Sequence, residues 1–320
     1  MIQVACNHQH TQKHGKDPYG NQRRKCMLCG KTWIEKAPQP LGDMRTEKSK
    51  AVMALRMMLE GVSLWSIHRL TGLNRHTLGA LLLLVGERCQ RFLRERIRNV
   101  QTADIQVDEL WAFIGCKEKY RMAMGRSEEL GDSYTFLAID RTSRLILTHQ
   151  IGKRDSSNTR LFCSRLREAI AGHCHVTSDG FSPYTHSLPV ALWDKDITFA
   201  QLIKVFSKQT PREEARYSPA PISNIIKKKI WGDCDENQIS TSHVERLNLS
   251  VRMGTRRFTR LTNAHSKSWR YHSAAVALWI CFYNFCRPHL TLKTTPAVKA
   301  GLTDAVWSVE RLLDELATYD

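Results

Sequence analysis

Apolar residues follow different patterns in successive parts of the chain. From Met44 to Leu93 they recur at helical spacing, interrupted at Gly61 and Gly72, which predicts three helices. Ser63 and Asn74 stand where N-caps belong, since their short side chains can accept the free N–H groups of a first turn. A helix, a short break, "SLWSIHRLTG" and then "NRHTLGALLLLVGERC" is the spacing of a helix-turn-helix unit. The second helix of such a pair meets the major groove through its first turn, here Asn74, Arg75 and His76. A plain helical bundle has the same periodicity and is the competing reading. "LGALLLLVG", residues 78–86, is expected in the core or at a subunit contact.

From residue 104 the period shortens to two. "DIQVDELWAFIG", "YTFLAIDR" and "RLILTHQIG" read as strands, "NTRLFCSRLREAIAG" as an amphipathic helix, and "HCHVTSDG" as a further strand. The order β-β-β-α-β, with a hairpin through Arg141, Thr142 and Ser143, lets the helix cross back and lay the last strand parallel to the first. That brings Asp108, midway along the first strand, near Asp179 at the end of the last. Two carboxylates on neighbouring central strands repel, so the arrangement is costly without a cation. Asp179-Gly180 is also ordinary turn chemistry. Glu109 is expected on the opposite face, in a structural role. Residues 185–239 are read as an insertion.

A third acid lies in "STSHVERLNLSVRMGTRRFTRL". Ser242-x-x-Glu245 has the form of a capping box. Glu245, Asn248 and Arg252 also share one helix face, with Arg246, Arg256, Arg257 and Arg260 close by. A carboxylate embedded in a basic helix suits a site that binds phosphate and metal together.

Charge sharpens this picture. The 320 residues carry 48 Lys and Arg against 31 acids, a net charge of +17 spread along the chain, which favours a polyanionic partner, most simply nucleic acid. No apolar run is long enough to span a membrane, and the N-terminus lacks a charged-then-apolar signal pattern. Ten cysteines, several inside helical apolar patterns, fit a reducing compartment, so a cytoplasmic, nucleoid-associated protein is expected.

The first 42 residues read as a small metal module ending in the linker "EKAPQPLG". Cys26-x-x-Cys29 followed by Gly30 is the turn that sets two thiolates on one tetrahedral Zn²⁺. Cys6 and one histidine complete the set, with His10 expected as the fourth ligand and His8 as its alternative. Too short and polar to bury a core, the segment needs a metal to fold.

"VDELWAFIG", "LGDSYTFLAID", "IGKRD", "TSDGFSPY", "ARYSP", "STSHVERLNLSVRMGTRRFTRLTNAHSK" and "YNFCRPH" with "TPA" after it together resemble the transposases of the insertion sequence one family, over nearly the whole chain. The resemblance implies an α/β (α+β) chain with a ribonuclease-H-like catalytic domain around a mixed sheet. It also implies an Asp-Asp-Glu triad, matched by Asp108, Asp179 and Glu245, and a DNA-contacting basic residue matched by Arg252. Many relatives carry two cysteine pairs at the N-terminus, where this chain has Cys6 with histidines.

On that reading residues 1–42 are the zinc module and linker, 43–100 the helix-turn-helix domain, 101–290 the catalytic domain and 291–320 a C-terminal tail. Two Mg²⁺ ions, roughly 3.5–4 Å apart and replaceable by Mn²⁺, would be held by the three carboxylates, and a structural Zn²⁺ by the N-terminal module. Double-stranded DNA, both the element's terminal inverted repeats and the target, would be the partner of Asn74, Arg75, His76, Arg252, Arg256 and Arg257. Two DNA ends call for at least a homodimer. A structure-specific nuclease of the same fold and a non-catalytic DNA-binding regulator are the alternatives.

Overall fold

A computed structural model of the chain describes residues 6–18, 20–35, 38–207, 220–259 and 263–319; Arg260 and the "ARYSP" stretch lie outside them. Three short antiparallel strands come first, β1 (Thr11–Lys16), β2 (Gln22–Cys26) and β3 (Thr32–Glu35). Cys26 is fully buried, yet the apolar clusters of the described residues begin only at Leu41. Three helices follow, α1 (Lys48–Leu59), α2 (Leu64–Thr71) and α3 (Arg75–Arg96). Ser63 Oγ accepts the Ser66 N–H at 3.1 Å and Asn74 Oδ1 that of His76 at 2.9 Å. Gly72 closes α2 at φ 72°, a left-handed conformation that favours glycine.

The remaining chain runs β4 (Val100–Gln101), β5 (Asp104–Ile114), α4 (Glu118–Ala123), β6 (Gly131–Asp140), β7 (Ile146–Gly152), α5 (Ser156–Ala169), β8 (Ile170–Ala171), β9 (Cys174–Ser178), α6 (Tyr184–Ala191), β10 (Ile197–Phe206), β11 (Ile222–Trp231), α7 (Ser242–Gly254) and α8 (Trp269–Cys281), followed by shorter helical turns. Six strands form a mixed sheet in the order β11-β10-β9-β5-β6-β7. β5 is antiparallel to β6 from Ile105↔Asp140 to Ile114↔Gly131 and parallel to β9 from Asp104↔His175 to Val107↔Ser178. The β-β-β-α-β order read from the sequence is therefore present, with the last strand beside the first.

Two divisions drawn from the sequence need correction. The expected insertion over 185–239 contains β10, which extends the sheet parallel to β9, and β11, which pairs antiparallel to β10 at the edge. Ile197, Phe199 and Ala200 are buried, so the first half of β10 belongs to the sheet's core, while β11 is exposed along nearly all its length. Nor are the boundaries at 100 and 291 divisions between independent cores. Leu78, Leu81, Val85 and Phe92 of α3 share one apolar core with the sheet, with α8 and with Leu312 and Leu316 near the C-terminus. Trp307 packs on Phe92 and Phe285, ring centroids 5.8 and 4.7 Å apart, and Lys48 pairs with Asp314 at 2.7 Å. The physical reason is the breadth of the apolar surface on α3, too wide for α1 and α2 alone to cover. Among the described residues no helix is long and apolar enough to cross a membrane.

The contact between α3 and α8 is backbone to backbone. A Cβ added at Gly86 would lie 2.4 Å from the Ala274 carbonyl oxygen and 2.5 Å from its Cα. Gly86→Ala must part the helices, an overpacking expected to cost about 1–3 kcal/mol and to lower the urea midpoint at unchanged slope.

Candidate active site

β9 ends at Ser178, opposite Val107. Beyond that level β5 has a sheet neighbour on one side only, and Asp108 and Asp179, the next residue of each strand, flank the gap. Alternation sends Asp108 and Glu109 to opposite faces, but where no strand separates the faces their carboxylates converge. Oxygens of Asp108, Glu109 and Asp179 lie within 4.8 Å of one another. Asp108 Oδ1 accepts the Glu109 N–H at 2.8 Å, and its Oδ2 accepts from Asn248 Nδ2 at 2.7 Å. Asp179 divides its two oxygens: Oδ1 accepts the Phe181 N–H at 2.9 Å, which is the turn chemistry, and Oδ2 faces Arg154 at 3.5 Å.

Glu245 arrives on α7, which two side-chain contacts fasten to β5. Gln106, on the same face as Asp108, accepts the N–H groups of His243 and Val244 at 2.8 and 3.1 Å; one turn further on, Asn248 donates to Asp108. The capping box suggested by Ser242-x-x-Glu245 is not formed. The helix starts after Thr241, whose hydroxyl donates to Glu245 Oε1 at 2.7 Å, and Lys204 of β10 ion-pairs with the same carboxylate. Glu245 is outside the 4.8 Å group, though its charge is felt at Asp108.

Burial, then the negative charges of Glu109 and Asp179, push the Asp108 carboxyl up to about 7; burial followed by Asp179 pushes Glu109 up to about 7 as well. Acids so crowded fit a site built for a cation. An unfolded carboxyl titrates near ~4, so the penalty of the ionised form is absent below that pH, grows as pH rises and is complete above about 7. Asp108→Asn should therefore melt higher than the parent at pH 8 without metal, and level with it at pH 4. His149 and His272, kept neutral by burial with values near 3, destabilise both proteins alike in acid, so variant and parent are compared at each pH. Equal melting at pH 8 would mean that the carboxylate carries no penalty there.

The N-terminal cluster groups Cys6, His8, Cys26 and Cys29, each offering a donor within 4.8 Å of the others. His8, not the expected His10, stands with the three thiols; the His10 backbone carbonyl instead accepts the Met27 N–H at 2.8 Å. Tetrahedral zinc with bonds of about 2.3 Å sets two sulfurs about 3.8 Å apart. Cys6 and Cys26 Sγ are 3.7 Å apart, and Cys29 Sγ is 3.4 Å from His8 Nδ1. The Cys29 N–H and then His8 hold Cys26 down at about 6, so its thiolate is the prevailing form at neutral pH. The residues present thus fit Zn²⁺ in distance and donor chemistry.

Asn74, Arg75 and His76 are exposed on the first turn of α3, and the Arg75 guanidinium lies 3.6 Å from the centroid of the Trp65 ring, a cation–π contact that orients it. Arg252 is half-buried on α7 and Arg256 exposed just beyond it. Arg257 is half-buried, Nη1 donating to Ser266 Oγ at 3.3 Å, and burial lowers its pKa. Sequence reasoning missed Gln106, Arg154 and Lys204 at the site. "IGKRD" contains Arg154 but gives no hint of its partners, and nothing in the local sequence marks Lys204.

No protein-family model matches the chain, and no curated protein matches it. Among solved structures it superposes on the cryo-EM structure of a piggyBac transposase synaptic complex with hairpin DNA, with a TM-score of 0.45 and 10% identity, over 88% of this chain and 72% of that one.

Proposed function

We propose that the chain is a metal-dependent DNA transposase of the Asp-Asp-Glu type with a ribonuclease-H-like catalytic domain, akin to the insertion sequence one family. The observation that supports this best is the convergence of two aspartates, distant in sequence, at the point where parallel pairing of β5 and β9 stops. The helix carrying Glu245 is fastened to the same strand through Gln106 and Asn248. A purely structural pairing of these acids would leave the crowding at Asp108 without a use.

Asp108 and Asp179, with Glu245, are the residues that would hold divalent ions. Such ions, when bound, offset charge on the phosphodiester and activate a water or a DNA 3′-hydroxyl. The chain's own groups do the rest. Asn248 orients the Asp108 carboxylate, the Asx turn fixes Asp179, and Thr241 with Lys204 steadies Glu245. The exposed first turn of α3 reads terminal sequence, and the zinc module adds a second contact to the DNA end. The net charge of +17 supplies the sequence-independent attraction to phosphate.

A strand-transfer assay tests this with a labelled, pre-cleaved element end, a target duplex and Mg²⁺ or Mn²⁺. Joined product is expected, and none when the divalent ion is withheld. Cleavage without joining would identify a nuclease, and DNA binding with neither reaction a regulator.

A further inference from the structure

Arg154, just before the N-cap of α5, reaches across to the acid cluster and is held there on several sides. Its Nε donates to Glu109 Oε2 at 2.9 Å, an Nη lies 3.5 Å from Asp179 Oδ2, and its guanidinium carbon sits 4.0 Å from the centroid of Phe181 and 5.9 Å from that of Tyr134. The Glu109 side chain is 2% exposed, whereas that of Arg154 is 37% exposed. A buried carboxylate and an aromatic face thus grip one edge of a guanidinium whose other edge opens beside Asp179. Arginine's planar fork suits phosphate when one edge is fixed and the other free.

We propose that Arg154 contacts the reacting phosphodiester and that Glu109 is its positioning residue. This rests on the transposase reading above. Once Asp179 turns its Oδ2 to a cation, the weaker 3.5 Å contact is released, while the Glu109 pair and the Phe181 stack keep the guanidinium in place. Its remaining N–H groups, on the part-exposed edge beside Asp179, would then be available to a phosphate oxygen. Glu109 acts through Arg154 in this scheme: its Oε2 holds the guanidinium and its side chain is closed to solvent. Its Oε1 is buried beside Asp108 and Asp179 without a hydrogen-bond partner among the described residues, so Mn²⁺ affinity separates a positioning role from a ligand's.

The test uses the full-length protein and a strand-transfer-product duplex whose reacting phosphate is either ordinary or an uncharged methylphosphonate, with binding measured in Ca²⁺. The parent should prefer the charged phosphate by roughly 10–100-fold, the scale of a charge-assisted hydrogen bond. Arg154→Gln should lose that preference, and Arg154→Lys should keep part of it. Glu109→Gln should lose most of it at unchanged Mn²⁺ affinity, measured by electron paramagnetic resonance, and both Glu109→Gln and Arg154→Gln should join ends more slowly. If the parent joins ends while Arg154→Gln retains the full phosphate preference, this inference fails and the transposase reading stands. A tenfold loss of Mn²⁺ affinity in Glu109→Gln would also overturn it, making Glu109 a ligand. A parent that neither joins ends nor prefers the charged phosphate would sink both readings.

Discussion

A Glu245→Gln protein is expected to fold, to bind DNA ends and to join none of them at a measurable rate. The substitution keeps the length of the side chain and an oxygen able to accept from the Thr241 hydroxyl. What it removes is one negative charge. Glu245 is 43% exposed and its partner Lys204 27% exposed, so the lost ion pair is worth about 0–1 kcal/mol at most, and melting should scarcely change. Catalysis by divalent ions depends on the charge and geometry of the donors, and removing one charge-stabilising group typically lowers the rate by ~10²–10³-fold or more. Activity and stability should therefore separate, which a structural role for Glu245 does not allow. The comparison with Glu109→Gln is instructive because Glu109, not Glu245, stands in the tight group with Asp108 and Asp179. Normal strand transfer by Glu245→Gln would falsify the assignment of the third acid to α7 and point to Glu109 in its place.

That ambiguity shows where the sequence stops being legible. Alternation along "DIQVDELWAFIG" is local information, so the strand, the facing of Asp108 and its parallel neighbour could all be read from pattern alone. The stopping point of β9 relative to β5 is not local. It is set by the pairing of Val107 with Ser178, and it is what lets Glu109 reach Asp179 from the other face. Lys204 is hidden for a similar reason: only the first half of β10 is buried, and its neighbour at the sheet edge, β11, is exposed and lysine-bearing, so the segment reads as an insertion.

Helices 48–96 teach the complementary lesson. Their N-caps, Ser63 and Asn74, are chemical signals confined to a few residues, and both accept the expected first-turn N–H groups. Their apparent independence as a domain was an inference from spacing, and spacing does not report how wide an apolar face must be covered. Gly86 against Ala274 is the point where that coverage becomes a backbone contact between α3 and α8. The exposed first turn of α3 and the strands that carry Asp108 and Asp179 are consequently built on one apolar core.

Zinc removal should unfold residues 6–35 and little else. β1–β3 enclose Cys26 but no apolar cluster among the described residues, so the free energy of binding structural zinc, about 10–16 kcal/mol in small peptides, would have to stand in for a hydrophobic core. Unfolding should stop where the chain is next anchored, at the carbonyls of Gln39 and Pro40, which accept from the buried Arg88 at 3.1 and 2.7 Å. Hydrogen exchange in a strong chelator should therefore show β1–β3 losing protection while β5, β6 and β9 keep theirs. Cys26→Ser should reproduce this without chelator, since it removes the thiol whose pKa the Cys29 N–H and then His8 hold down at about 6. Discrimination between terminal and random DNA should weaken in both cases, and binding to random DNA, carried by charge on the main body, should persist. His8→Ala should lose zinc while His10→Ala keeps it, because among the described residues it is His8 that stands with all three sulfurs. Purified protein without stoichiometric zinc, or full protection of β1–β3 in chelator, would show that this sheet holds itself together by other means.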